Sequence, residues 1–152
     1  MHKTIISDTS CLILLDKISE LEILNKLFGT ITTTTEVAEE FGQELPGWFE
    51  IRQPVDKNYQ SIIEASVDKG EASAIALAIE SDDCLLIIDD LKGRKFALQL
   101  GLTIIGTIGI IVDAKLTGII PSVIPVLAKI KDTNFRITEQ LESLILKRAG
   151  EL

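Results

Sequence analysis

Ile5 and Ile6 stand side by side in Thr4-Ile5-Ile6-Ser7-Asp8. A strand built on them has no polar face to turn to water, which suits a parallel strand covered on both sides. Residues 84–88, Cys-Leu-Leu-Ile-Ile, repeat that pattern most clearly and run straight into Asp89-Asp90. Short β-branched or aromatic runs at 31–33, 48–51 and 102–105 predict further strands, Pro54 ending the second of these. Between the strands, apolar positions recur at helical spacing. Leu12, Ile13, Leu15, Ile18, Leu21, Leu24 and Leu27 predict a helix that starts near Cys11, is capped by Ser10, breaks around Ser19 and stops at Gly29. Thr34 or Thr35 caps a helix carrying Glu36, Val37, Glu39, Glu40 and Phe41. Residues 58–69 read as an amphipathic helix with Ile62, Ile63 and Val67 on its apolar side; Gly70 interrupts it, and Glu71 opens an alanine-rich helix that ends at residue 81. Further helices are predicted at 92–100, at 107–115, from Pro121 and Pro125 onward, and after a Thr138 cap. Strands alternating with helices argue for one α/β domain over residues 1–152, a parallel sheet wrapped by helices and joined by right-handed crossovers.

Composition narrows the function. The chain is 46% hydrophobic and 25% charged, a globular balance. Its 23 acidic and 15 basic residues give a formal net charge of -8, so a nucleic-acid backbone is repelled by the protein as a whole. Any nucleic-acid reading therefore rests on local basic patches or bound cations. The two cysteines, Cys11 and Cys84, fit a reduced compartment, and no signal-peptide pattern stands at Met1-His2-Lys3. The most apolar tract, residues 102–112, is broken by Thr and Gly and falls short of the ~20 residues that a membrane span needs. The expectation is a cytoplasmic protein.

In open parallel sheets, ligands bind just beyond the carboxyl ends of the strands. Asp8 ends the first strand there, and Asp89 and Asp90 end the strong one. Glu71 lies in the first turn of a helix, on the face shared with Ile75 and Ala78, and Glu40 stands one turn from Glu36. Carboxylates converging in one cleft repel each other and some protonate unless a cation neutralises them. Hard divalent ions prefer such oxygen ligands. A metal held this way lowers the pKa of a water and holds a phosphodiester for in-line attack. Bound cations would also screen the acid cluster from a substrate backbone. Lys92, Arg94 and Lys95, directly after the aspartates, are placed to steer that backbone.

Each of these residues also has an ordinary structural reading. Asp after a strand is a common turn or cap residue, acids in a first helical turn complement the helix dipole, and Lys92, Arg94 and Lys95 read equally as a solvated helix face. His2 lacks partner residues and is read as no ligand. Cys11 and Cys84 read as small core residues, and Trp48 and Phe49 as core or interface. No Gly-rich phosphate loop is present. What singles out the acids is their joint placement.

That ordered set resembles the PIN domain family. Ser7-Asp8-Thr9-Ser10-Cys11-Leu12-Ile13 is similar to its opening Asp-Thr-Ser motif, and Val37-Ala38-Glu39-Glu40-Phe41 to the segment bearing its second acid, which maps to Glu40. The segment from Gly70 to Ala78 resembles the one bearing the third acid, with Glu71 where Asp is commoner. Ile88-Asp89-Asp90, with Gly93-Arg94-Lys95 and the run from Gly101 to Thr107, resembles the last acidic motif and the next strand; the usual Thr-x-Asp reads Ile88-Asp89-Asp90, so either aspartate can be the primary one. The resemblance covers about residues 4 to 116 and is closest to a prokaryotic PIN-like branch. It implies a three-layer α/β/α sandwich, a ribonuclease dependent on Mg2+ or Mn2+, and a toxin–antitoxin setting of the VapC type, with a small antitoxin partner and homodimerisation.

The expected function is thus a metal-dependent endoribonuclease. Asp8, Glu40, Glu71 and Asp90 (or Asp89) carry the metal chemistry, Ser10 hydrogen-bonds and orients Asp8, and Glu36 supports the site. One rival is a PIN-like module that holds a partner protein without cleaving RNA. Another is a phosphoacceptor receiver domain, disfavoured because no Lys follows Ile105 in Gly106-Thr107-Ile108.

Overall fold

A computed structural model describes residues 4–152, so the reading of His2 lies outside the described residues. Five strands, β1 (Thr4–Ser7), β2 (Ile31–Thr33), β3 (Phe49–Ile51), β4 (Cys84–Ile87) and β5 (Thr103–Ile105), form one parallel sheet in the order β3-β2-β1-β4-β5. Successive strand residues point to opposite faces, and here both faces are apolar. Ile5, Leu85 and Ile87 enter one core with Leu12 and Leu15 of α1 (Thr9–Lys17), Ile23 and Leu24 of α2 (Glu22–Phe28), Val37 of α3 (Thr35–Phe41) and Ile110 and Ile111 of α7 (Thr107–Leu116). The same core takes in α8 (Ile124–Lys131) and α9 (Glu139–Arg148) through Leu127 and Ile145. Ile6, Leu86 and Ile88 enter the other core with Ile63 of α4 (Lys57–Ile63), Ile75 and four alanines of α5 (Lys69–Glu80), and Ala97 of α6 (Leu91–Gln99). The result is the expected three-layer α/β/α sandwich. No helix among the described residues is long and apolar enough to cross a membrane.

Strand order reverses between β1 and β4, which makes their carboxyl ends the switch point where such sheets bind ligands. Ser7 is in register with Ile87, and the Asp8 amide donates to the Ile87 carbonyl at 3.0 Å. Asp8 and the aspartates after Ile88 therefore leave the sheet side by side. Receiver domains order their strands 2-1-3-4-5; the order here excludes that rival.

Three local expectations need correction. Ser10 does not cap α1: Asp8 does, accepting from the Cys11 amide at 3.4 Å, and the helix begins two residues earlier, at Thr9. The helix expected over 58–69 stops at Ile63, and Gly70 lies inside α5 instead of interrupting it. The cause is Asp68, whose carboxylate accepts from the Glu71 amide at 2.8 Å and starts α5 at Lys69. Ile62 faces solvent at 66% exposure while its neighbour Ile63 is fully buried, because adjacent residues on a helix lie about 100° apart.

Candidate active site

Asp8 is fully buried, yet its Oδ2 has no hydrogen-bond partner. Burial, foremost, and then the charge of Asp89 push its carboxyl from the ordinary 3.8 up to about 8, against the pull of the Cys11 and Asp89 backbone amides. Glu71, in the first turn of α5, repeats the situation. Its Oε2 is buried and unpartnered, and burial, then hydrogen bonding and charge from Asp68, then the charges of Asp90 and Asp8 raise it to about 8. An unpartnered buried carboxylate oxygen is costly, and two of them at one switch point single it out as the candidate site.

Glu40 joins from α3. The Thr9 hydroxyl donates to its Oε1 at 3.3 Å. Burial and the charge of Asp68 raise the Glu40 carboxyl above its usual range, partly offset by Thr9. Glu36, one turn earlier, goes the other way: burial would raise it, but a hydrogen bond from Gln60, its own backbone amide, and the charges of Lys57 and Lys69 outweigh that and hold it low. Glu36, Glu39 and Glu40 line a shallow cleft of about 420 Å3 together with Asp68 and Lys69.

Asp89 and Asp90 divide their duties. Asp89 is bound through both oxygens to Thr107, whose amide donates to Oδ1 at 2.8 Å and whose hydroxyl donates to Oδ2. It thereby caps α7, whose own N-cap residue, Gly106, has no side chain to do so. Asp90 caps α6 through Oδ2, accepting from the Gly93 amide at 3.0 Å.

Glycines make room for these acids. A Cβ on Gly70 would overlap Glu40 Oε1, one on Gly93 would sit 2.7 Å from Glu71 Oε2, and one on Gly106 would sit 2.9 Å from Asp89 Oδ1 and 2.7 Å from Arg94 Nη1. The carboxylates thus lie against bare backbone. Gly70→Ala is expected to separate activity from folding. Helix propensity favours Ala by ~1 kcal/mol, and the obstacle is the flexible end of Glu40. The variant should melt no lower than wild type while Glu40 is displaced and any metal-dependent activity falls; a melting scan beside an activity assay checks both.

The remaining expectations fare unequally. Ser10 is exposed and lines a separate cavity with Ile13, Leu14, Lys17, Asn134 and Phe135. The hydroxyl on the acid side belongs to Thr9, because the earlier helix start turns Ser10 outward. Lys92 and Lys95 are exposed and make no side-chain bond among the described residues, whereas Arg94 is half-buried with Nη1 donating to the Ile88 carbonyl at 2.8 Å. Through that bond Arg94 braces the end of β4. Cys11 is buried, its thiol pushed up by burial and by Asp89; Cys84 is half-buried, and burial then Asp83 raise it to about 11. Trp48 and Phe49 stack with centroids 4.5 Å apart against the first core. Sequence reasoning missed Asp68, which faces Asp8, Glu40 and Glu71 electrostatically. Its signal was present: Asp68-Lys69-Gly70-Glu71 has the spacing of a capping box.

A family model described as a PIN domain matches residues 4–151. The chain belongs to the PIN domain family. No curated protein and no solved structure matches it. PIN domains are in general nucleases that act on RNA or other nucleic acid and use divalent metals. Among the described residues of this PIN domain, no three His, Cys, Asp or Glu side chains already close into a complete metal cage. The donor chemistry is nonetheless that of a hard-ion site: all-oxygen, with buried unpartnered atoms on Asp8 and Glu71.

Proposed function

We propose that this PIN domain is an endoribonuclease dependent on Mg2+ or Mn2+ and the toxin of a toxin–antitoxin pair. The observation that carries the proposal is the pair of buried, unpartnered carboxylate oxygens, Asp8 Oδ2 and Glu71 Oε2, at the β1/β4 switch point. Asp8, Glu71 and Asp90 would hold the cation, with Glu40 and Asp68 at the rim; Asp89, engaged by Thr107, serves the position of the β4 end. A divalent ion bound there supplies neutralisation of the acids and Lewis acidity toward a phosphodiester. The chain's own contribution is to hold those acids on strand ends and helix starts. Lys92 and Lys95, the exposed cations that follow Asp90, attract the RNA backbone to an otherwise anionic protein. The toxin role rests on the resemblance to VapC-type proteins and entails a small antitoxin and a homodimer.

The test is RNA cleavage by purified protein with Mg2+ or Mn2+, abolished by a chelator and restored by the metal. Protein that stays inert with either metal sinks the enzymatic proposal. A second reading, a PIN-like module that binds a partner without cleavage, draws on the absence of a closed acid cage among the described residues and on the full engagement of Asp89. Calorimetry separates the two, since that reading requires weak divalent affinity alongside tight partner binding.

A further inference from the structure

Beneath the acids, two helix starts are tied by a buried chain of hydroxyls. The Ser73 hydroxyl donates to the Gly70 carbonyl at 2.7 Å, which uses its only proton. At the 2.6 Å contact between Thr34 Oγ1 and Ser73 Oγ, the donor is therefore Thr34. Thr34 Oγ1 in turn accepts from the Val37 amide at 3.2 Å, as the cap of α3. Direction is fixed along the whole path: Val37 N–H to Thr34, Thr34 O–H to Ser73, Ser73 O–H to the Gly70 carbonyl. Both hydroxyl residues are fully buried.

The path ends on the backbone that separates the acids. Gly70 lies between Asp68 and Glu71, and its missing Cβ is the space that Glu40 Oε1 fills. Glu40 belongs to α3, at the other end of the path. We infer that Thr34 and Ser73 are positioning residues that set the spacing between the Glu40 carboxylate and the Asp68–Glu71 turn, and so tune divalent-ion affinity without touching the ion. Capping α3 accounts for the bond that Thr34 accepts from Val37, but not for the onward link through Ser73. A directed hydroxyl path fixes the Gly70 carbonyl, and with it the floor on which Glu40 rests. This inference depends on the metal-site proposal above.

The experiment is calorimetric titration of full-length protein with Mn2+, paired with thermal melts, for wild type, Ser73→Ala, Thr34→Val, Thr34→Ser and the double variant Ser73→Ala/Thr34→Val. Loss of supporting groups around metal ligands costs on the order of 10–100-fold in affinity. About tenfold weaker Mn2+ binding is expected in Ser73→Ala and in Thr34→Val. The double variant should be no weaker than either single one, because one path is broken in all three. Thr34→Ser, which keeps the hydroxyl, should bind as wild type does even if it melts lower. Should Ser73→Ala fail to fold, the contrast between Thr34→Val and Thr34→Ser decides alone. Mn2+ affinity within twofold of wild type in folded Thr34→Val overturns the inference and leaves the metal site standing. Wild-type protein that binds no Mn2+ overturns both.

Discussion

Asp8→Asn is expected to abolish metal-dependent RNA cleavage while making the metal-free protein more stable at pH 8. The activity loss follows from removing the most buried anionic oxygen of the site. Stabilisation of transition-state charge by a bound metal is worth several kcal/mol, so the rate should fall on the order of 100- to 1000-fold. The stability gain follows from the same burial. Asp8 is fully buried with a carboxyl raised to about 8, so above that pH the metal-free fold carries an ionised group it cannot satisfy. Asn has the same shape and no charge, and its amide still offers an oxygen to the Cys11 amide. A cleavage assay and a melt on the same preparation read both effects. Undiminished cleavage by Asp8→Asn removes Asp8 from the chemistry, and a lower melt at pH 8 would show that its charge is already compensated within the fold.

The second large effect is the pH dependence of the metal-free protein. Asp8 and Glu71 are both raised to about 8, whereas unfolded carboxyls titrate near 4. Between about pH 4 and pH 8 the folded chain therefore holds protons that the unfolded chain has released. The stability these two groups contribute is fully present below about pH 4 and is lost as pH rises through 8. A divalent ion reverses the trend, because it binds the ionised carboxylates and competes with protons. At a metal concentration of ~100 times Kd the gain is about 2.7 kcal/mol, or about 5–10 °C for a domain of this size. Melts with and without Mn2+ should diverge at pH 8 and converge at pH 5. In Asp8→Asn the divergence should shrink. Equal Mn2+ shifts at both pH values would show that the ion binds elsewhere.

Particular residues show what the sequence disclosed. Asp8 and Asp89-Asp90 were legible because doubled apolar residues, Ile5-Ile6 and the run to Ile88, announce strands covered on both faces, and such strands end at binding edges. Glu71 and Glu40 were legible through helix-start patterns and family resemblance. Asp68 was not singled out, because Gly70 looked like a break and hid the helix that Asp68 caps. The tertiary context overrides the glycine's low propensity: Gly70 is held inside the helix by the Asp68 cap and the Ser73 hydroxyl. Ser10 was misplaced because the helix starts two residues earlier than its apolar pattern suggests, and each residue along a helix turns a side chain by about 100°. The capture of both Asp89 oxygens by Thr107, 18 positions away, is a contact between strand ends that no local pattern encodes.

The bare backbone against which the acids lie has an evolutionary corollary. Glycine and alanine codons differ by a single base, so one methyl at Gly70 is one point mutation away. Such a change would disarm the proposed nuclease yet pass unseen by quality control that degrades unstable chains. Descent from this protein to a silent scaffold is therefore a short mutational walk, and relatives that keep the sandwich but have lost the small residue facing Glu40 are the place to look for it.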